Sequence, residues 1–177
     1  DSRDVMLYAL GVGAGQADAL AELNLTTENS ADTELVALPA YAGVLFQRTG
    51  VRIDMGDIDR TKVVHAEQAF VLHKPLPVQG TVRIDAKIIG IFDKGSGALV
   101  TTQSRAVDAA SGELLVEAVS SGFIRGAGGF GGEKGPSGAS PVPTRAPDVQ
   151  VVVPTRRDQA LLYRLSGDRN PLHSDPV

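Results

Sequence analysis

The chain has 177 residues, 42% of them hydrophobic, with 17 Lys and Arg set against 21 Asp and Glu for a formal charge of −4. That is enough apolar material for a packed core, and the acidic balance argues against nucleic acid or an anionic membrane as partner while leaving local arginines free to hold phosphates. Cysteine is absent, which excludes disulfides, thiolate nucleophiles and cysteine-ligated metals; no apolar run approaches the roughly 20 residues a spanning helix needs, and the acidic start DSRDV lacks the basic region of a signal peptide.

Residues 4–14 (DVMLYALGVGA) predict a short apolar helix with Asp4 near its positive end, weakened by Gly11, Gly13 and Gly15. The GVGAG run invites a dinucleotide-loop reading. It fails, because no strand precedes it, the G-x-G-x-x-G spacing is absent, and the helix leads into the glycines instead of following them. A helix-ending or close-packing role fits better. Residues 34–38 (ELVAL) suit a short strand, and Pro39 opens a helix over 39–50 that stops at Gly50. Its small Ala40, Ala42 and Gly43 would let it lie close against a sheet.

Strand patterns follow over 63–73, 80–92, 98–107 and 113–125, with the cleanest period of two through Val82, Ile84, Ala86 and Ile88. The turns PLPVQG, DKGSG and DAASG separate them. Four consecutive strands with short turns predict an antiparallel, curved sheet, and a helix ahead of it makes the class α+β. Residues 126–147 are rich in Gly, Ser and Pro and read as a linker or long mobile loop, with Phe130 the one large apolar residue able to dock. Residues 149–153 (VQVVV) read as a strand. Pro154-Thr155 then opens a helix over RRDQALLYRLS, with Thr155 and Asp158 spaced as a capping box. A second domain is therefore expected to begin near residue 148 and to break off at 177.

The densest chemistry lies in residues 167–173, GDRNPLH. Pro171 keeps Asn170 out of helical geometry and Gly167 permits an unusual turn, so Asp168, Asn170 and His173 can converge. A carboxylate beside an imidazole can hold a water, take its proton and return one. On residue chemistry alone the competing reading is a helix cap, with Asn170 or Ser174 capping, Asp168 bonding local amides and His173 merely polar; that use is the commoner one. A metal site adding Asp175 has too few ligands on one loop. His65 and Glu67, two apart on a strand, should share a face and read as a polar cross-strand pair. His73 and Lys74 read as surface. Arg156, Arg157, Arg164 and Arg169 form the densest positive cluster.

The run YRLSGDRNPLHSDP, residues 163–176, resembles the hydratase-2 motif of the MaoC-like enoyl-CoA hydratases, proteins of the hot-dog fold. DVMLYALGVGAG, HAEQAFVLHKPLP and GGFGG resemble the N-terminal half of two-domain members, so the resemblance covers essentially the whole chain. Ala66 departs from it, standing where many relatives have Gly. The resemblance implies a double hot-dog, an antiparallel curved sheet wrapped on a helix. Residues 1–125 would be an N-terminal hot-dog accommodating the acyl chain, 126–147 a linker, and 148–177 the start of a catalytic hot-dog truncated after its motif.

The activity implied is that of an enoyl-CoA hydratase 2, a hydro-lyase that converts trans-2-enoyl-CoA to (3R)-3-hydroxyacyl-CoA in fatty-acid or sterol side-chain β-oxidation. Asp168 and His173 would activate the water, and Asn170 would hold it or the site's geometry. No metal and no separate cofactor is implied, since coenzyme A is part of the substrate; Arg156, Arg157 and Arg169 would meet its phosphates. Helix 39–50 would form a tunnel wall. Hydration builds negative charge on the thioester oxygen, which needs fixed N–H donors. Family members supply these from a glycine after the motif and from a long central helix, so the protein is expected to continue beyond residue 177. Three alternatives stay open: a 3-hydroxyacyl thioester dehydratase of fatty-acid synthesis, a hot-dog thioesterase, and a non-catalytic acyl-CoA-binding or assembly subunit needing a partner. The expected compartment is the cytoplasm, or the peroxisome in a eukaryote, with a homodimer left open as the assembly.

Overall fold

The structure, a computed structural model, describes residues 1–48, 54–137 and 141–176. Helix α1 spans Ser2–Gly11 and starts earlier than the sequence suggests, because Asp1 rather than Asp4 is its cap. The Asp1 carboxylate accepts from the Asp4 amide at 3.0 Å while the Asp4 side chain answers the Asp1 amino group, a reciprocal capping box. One stripe of α1, Val5, Tyr8, Ala9 and Gly11, is buried. After the single-turn α2 (Leu23–Thr26) the chain runs extended into α3 (Tyr41–Arg48). Residues 49 and 50 of the expected helix lie outside the described residues.

Residues 34–38 do not form the expected strand. Their apolar groups are buried by packing instead: Leu35 is buried, Ala37 and Leu38 lie on the core, and the Val36 amide donates to the Asn24 carbonyl at 2.8 Å. Apolar side chains can be buried by packing without a strand ladder.

The four strands are β1 (Val63–Leu72), β2 (Val82–Asp93), β3 (Gly97–Asp108) and β4 (Leu114–Arg125). They pair antiparallel in the order β1-β4-β3-β2. Register shifts interrupt all three ladders, at His65/Glu67, Ile88/Gly90 and Ala106/Val107. Such irregularities add local twist and bend the strands, which is how this sheet acquires its curvature. Across one end of the inner face the register lines up Leu72, Val116, Ala106 and Ile84. There they meet Val5 and Tyr8 of α1 and Tyr41, Ala42 and Val44 of α3 in the core.

The first part of the glycine-rich segment is not a free linker. The buried carboxylate of Asp93 accepts from the amides of Gly95, Gly129 and Gly131, each at 2.8 Å, and the Asp93 amide donates to the Glu133 carbonyl at 2.8 Å. Lys94 adds a bond to the Pro136 carbonyl at 2.6 Å. Phe130, the expected anchor, is 53% exposed; backbone amides do the anchoring. Nor is 149–153 a strand. Val149, Val151, Val152 and Val153 are all at least 75% exposed, on both alternate sides, with no neighbouring strand among the described residues to complete a ladder.

The last helix, α4, spans only Gln159–Tyr163 and runs into a 3₁₀ turn at Arg164–Ser166. The expected capping box at Thr155 and Asp158 is not made, since Asp158 makes no cap bond. Its carboxylate is held instead by the Arg156 guanidinium, Nε to Oδ1 and Nη2 to Oδ2 both at 2.9 Å, and Gln159 Oε1 accepts from the Arg156 amide.

Candidate active site

Helix α4 docks on α1, and this contact builds the site. A Cβ placed on Gly11 would stand 3.1 Å from Tyr163 Cα, tighter than ordinary van der Waals contact, so the glycine eases the close approach of the two helices. The Tyr163 ring lies 6.1 Å from that of Tyr8, which is itself 5.5 Å from Tyr41, in tilted contacts that tie α4 to the core. The glycine run read from sequence as helix-ending or close-packing does both jobs, because Gly13 at φ 106° follows the last turn of α1.

Beyond α4 the chain reverses at Gly167, whose φ of 136° suits a residue without Cβ. Asp168 Oδ1 then accepts from the Asn170 amide at 3.3 Å, and Asn170 Oδ1 accepts from the Leu172 amide at 3.1 Å. Asn170 thus caps the 3₁₀ turn Pro171–His173, with Pro171 at its first position. The result is a cavity of about 440 Å³ walled by Gly11 and Val12 at the end of α1, by Gln159 and Tyr163 of α4, and by Asp168 and His173.

The acid and the imidazole of the motif therefore open into one space, while Asn170 does not line it. Asp168 and Asn170 bond local amides, as the capping reading expects, and Asp168 and His173 also line the cavity. Burial raises the Tyr163 hydroxyl above its ordinary pKa, and the charge of Asp168 adds to the rise. Tyr163 stays protonated at neutral pH, a donor beside a carboxylate. Ser166 Oγ and Arg164 Nε are buried in the same turn without a hydrogen-bond partner among the described residues.

The arginines are not gathered around this cavity. Arg156 is neutralised by Asp158, whose hydrogen bonds and charge raise its pKa. Arg157 and Arg169 are exposed and have no carboxylate partner among the described residues. Among the described residues no group of three or more His, Asp or Glu is placed to hold a metal ion.

His65 and Glu67 do not share a face. The register shift leaves Ala66 as an extra, unpaired residue, so His65 pairs with Gly122 and Glu67 with the adjacent Ser121, which reverses the parity. Glu67 meets Ser121 Oγ at 3.4 Å, whereas His65 turns to the face beneath α3. Ala66 keeps a negative φ, so the departure from Gly brings no strain here. His73 and Lys74 lie on the surface, His73 3.2 Å from Glu117 and Lys74 paired with Glu113.

An antiparallel curved sheet with a helix laid on its inner face is a hot-dog-type fold. A family profile described as "MFE-2 hydratase 2 N-terminal domain" matches residues 1–126, and the chain belongs to that family. It is 45% identical over 177 residues to 3-hydroxyacyl-thioester dehydratase Y of Mycobacterium tuberculosis, covering 98% of this chain and 60% of that protein. It is 42% identical over 180 residues to enoyl-CoA hydratase ChsH3 of the same organism, covering 99% and 62%. Among solved structures, a MaoC-like dehydratase from Phytophthora capsici superposes with a TM-score of 0.81 at 31% identity, over 99% of this chain and 61% of the other. The chain thus spans about three fifths of the length of the two mycobacterial relatives.

Proposed function

We propose that this protein adds water across the double bond of trans-2-enoyl-CoA to give (3R)-3-hydroxyacyl-CoA in a β-oxidation sequence. The observation that carries this reading is the opening of Asp168 and His173, on a turn fixed by Gly167 and Asn170, into one cavity of about 440 Å³. One member of the pair takes a proton from water as its oxygen bonds the β-carbon; the other delivers a proton to the α-carbon. The relatives named hydratase and dehydratase support the reading, because the forward and reverse reactions pass through one transition state and need one site.

Coenzyme A arrives as part of the substrate. Of the arginines considered for its phosphates, Arg156 would first have to leave Asp158, which leaves Arg157 and Arg169 as the freer candidates. Division of labour between an acyl-holding unit (1–125) and a catalytic unit beginning near 148, assembly as a homodimer, and a cytoplasmic or peroxisomal setting all belong to this proposal. The second reading, dehydration of 3-hydroxyacyl thioesters, is favoured by the 45% identity to a protein named for it.

The test is replacement of Asp168 by Asn and His173 by Gln in the full-length protein, with turnover followed as loss of the conjugated thioester absorbance. Each variant should lose about 10²- to 10⁴-fold in kcat, with acyl-CoA still bound and Tm within about 2 °C of the parent, because both side chains are solvent-accessible. Near-parental turnover in both variants would refute the assignment.

A further inference from the structure

A second cavity, of about 200 Å³, adjoins the Asp168–His173 cavity, and Val12 lines both. Where the two meet, a pair of glutamines converges on Gly13: Gln16 from the turn after α1, and Gln159 from the first position of α4. A Cβ built on Gly13 would lie 3.4 Å from Gln16 Oε1 and 3.7 Å from Gln159 Nε2. Both side-chain amides are therefore within reach of one small group, in space that the missing Cβ leaves open.

Each glutamine is held by a backbone partner, and that partner fixes which end of the amide is free. Gln159 Oε1 accepts from the Arg156 amide at 3.0 Å, so its Nε2 is the end turned to Gly13. Gln16 Nε2 donates to the Pro154 carbonyl at 3.0 Å, so its Oε1 is the end turned there. Among the described residues neither free end has a hydrogen-bond partner. Both side chains are half-buried. Together they present a donor beside an acceptor, the pattern that complements a secondary amide and gains nothing from a hydrocarbon.

We propose that Gln159 and Gln16 form a clamp for a secondary amide of the substrate, with Gln159 Nε2 donating to its carbonyl oxygen and Gln16 Oε1 accepting from its N–H. The inference rests on the hydratase reading and names the part of the thioester that these residues read. A plain enoyl chain carries no nitrogen. The arm of coenzyme A on the other side of the sulfur carries secondary amides, the nearer one separated from the sulfur by an ethylene link. Gln159 and Tyr163 both lie on α4, which rises about 1.5 Å per residue, so Gln159 stands about 6 Å along the helix from Tyr163, away from the Asp168 turn. A thioester whose double bond lies at Asp168 and His173 therefore runs its sulfur-side arm along α4 to the clamp. Held there, the arm fixes the position of the β-carbon against the acid–imidazole pair.

The experiment offers the full-length protein one trans-2-enoyl group on two short thiols of equal length, N-acetylcysteamine, which carries the amide, and pentanethiol, which does not, with the coenzyme A thioester alongside. We expect kcat/KM to favour the amide-bearing thioester by about tenfold or more, because an alkyl arm leaves the donor and the acceptor unpaired. Gln159→Glu keeps an acceptor for the Arg156 amide but removes the donor, and should cut that preference about tenfold through KM. A merely structural role would slow both short thioesters alike, and an unchanged ratio in the variant overturns the assignment. Equal use of the two, preference for the pentyl thioester, or use of neither while the coenzyme A thioester is hydrated overturns the clamp and leaves the hydratase reading standing. Hydration of none of the three overturns both. Where the variant fails to fold, the parental ratio decides the matter.

Discussion

Asn170 is the residue at which catalysis and architecture are hardest to separate. Its Oδ1 is committed to the Leu172 amide, so its first effect is to hold the turn that presents His173. Asn170→Ala should therefore destabilise the protein by about 1 kcal/mol, the usual cost of a lost cap, and reduce turnover with it. Asn170→Ser retains an acceptor at the cap and should recover most of both. Melting curves and turnover of the two variants check this, and a Ser variant as inactive as Ala would assign Asn170 to the reacting groups. The motif itself was legible in the sequence because its chemistry is local: Gly167, Asp168, Asn170, Pro171 and His173 determine their own turn. The walls contributed by Gly11 and Val12 were not legible, because they come from the other end of the chain and only the fold brings them to Asp168. Parity failed at His65 and Glu67 for a definite reason, a bulge at Ala66 that a period of two cannot reveal.

At the scale of elements the least expected feature is the Asp93 clasp. Four strands and their turns follow from period two and turn composition, but a Gly-rich run reads as a linker unless something gathers its amides. Hydrogen bonds from the amides of Gly129, Gly95 and Gly131, in that order of effect, hold the Asp93 carboxyl below its ordinary pKa. Its ionised form therefore favours the folded state at all pH values above the ordinary carboxylate pKa of about 3.9, and that contribution fades as pH falls below it toward the lower folded value. In Asp93→Asn an amide NH₂ would face the Gly131 amide that now donates to Oδ2, and no titration remains. The variant should melt lower at neutral pH, and the gap to the parent should narrow as pH is taken from 6 to 2 in circular-dichroism melts. A gap independent of pH would contradict the clasp. Gly128 lies in the same loop, and a Cβ there would come within 2.6 Å of the Gly97 amide nitrogen. Gly128→Ala should cost about 1–3 kcal/mol, as overpacking does. The two short strands expected at 34–38 and 149–153 failed together because apolar composition alone does not supply a partner strand.

Across the whole molecule, the acid–imidazole turn belongs mechanically to the sheet-bearing unit. Tyr163 makes a tilted ring contact with Tyr8, Gly11 admits α4, and Gly11 and Tyr163 both line the cavity. Gly11→Val should push α4 away from α1, costing about 1–3 kcal/mol and lowering kcat/KM roughly in step with the displaced Asp168 and His173, about tenfold or more. Turnover unchanged in a variant with a lowered Tm would show that the site does not depend on this docking.

The account's central claim is tested most directly by incubating the full-length protein with trans-2-enoyl-CoA and determining both the rate of water addition and the configuration at the new hydroxyl. The account predicts turnover that yields the (3R)-3-hydroxyacyl-CoA and that falls about 10²- to 10⁴-fold in Asp168→Asn. Formation of the (3S) product, release of free coenzyme A instead of hydration, or full activity in the Asn variant would contradict it.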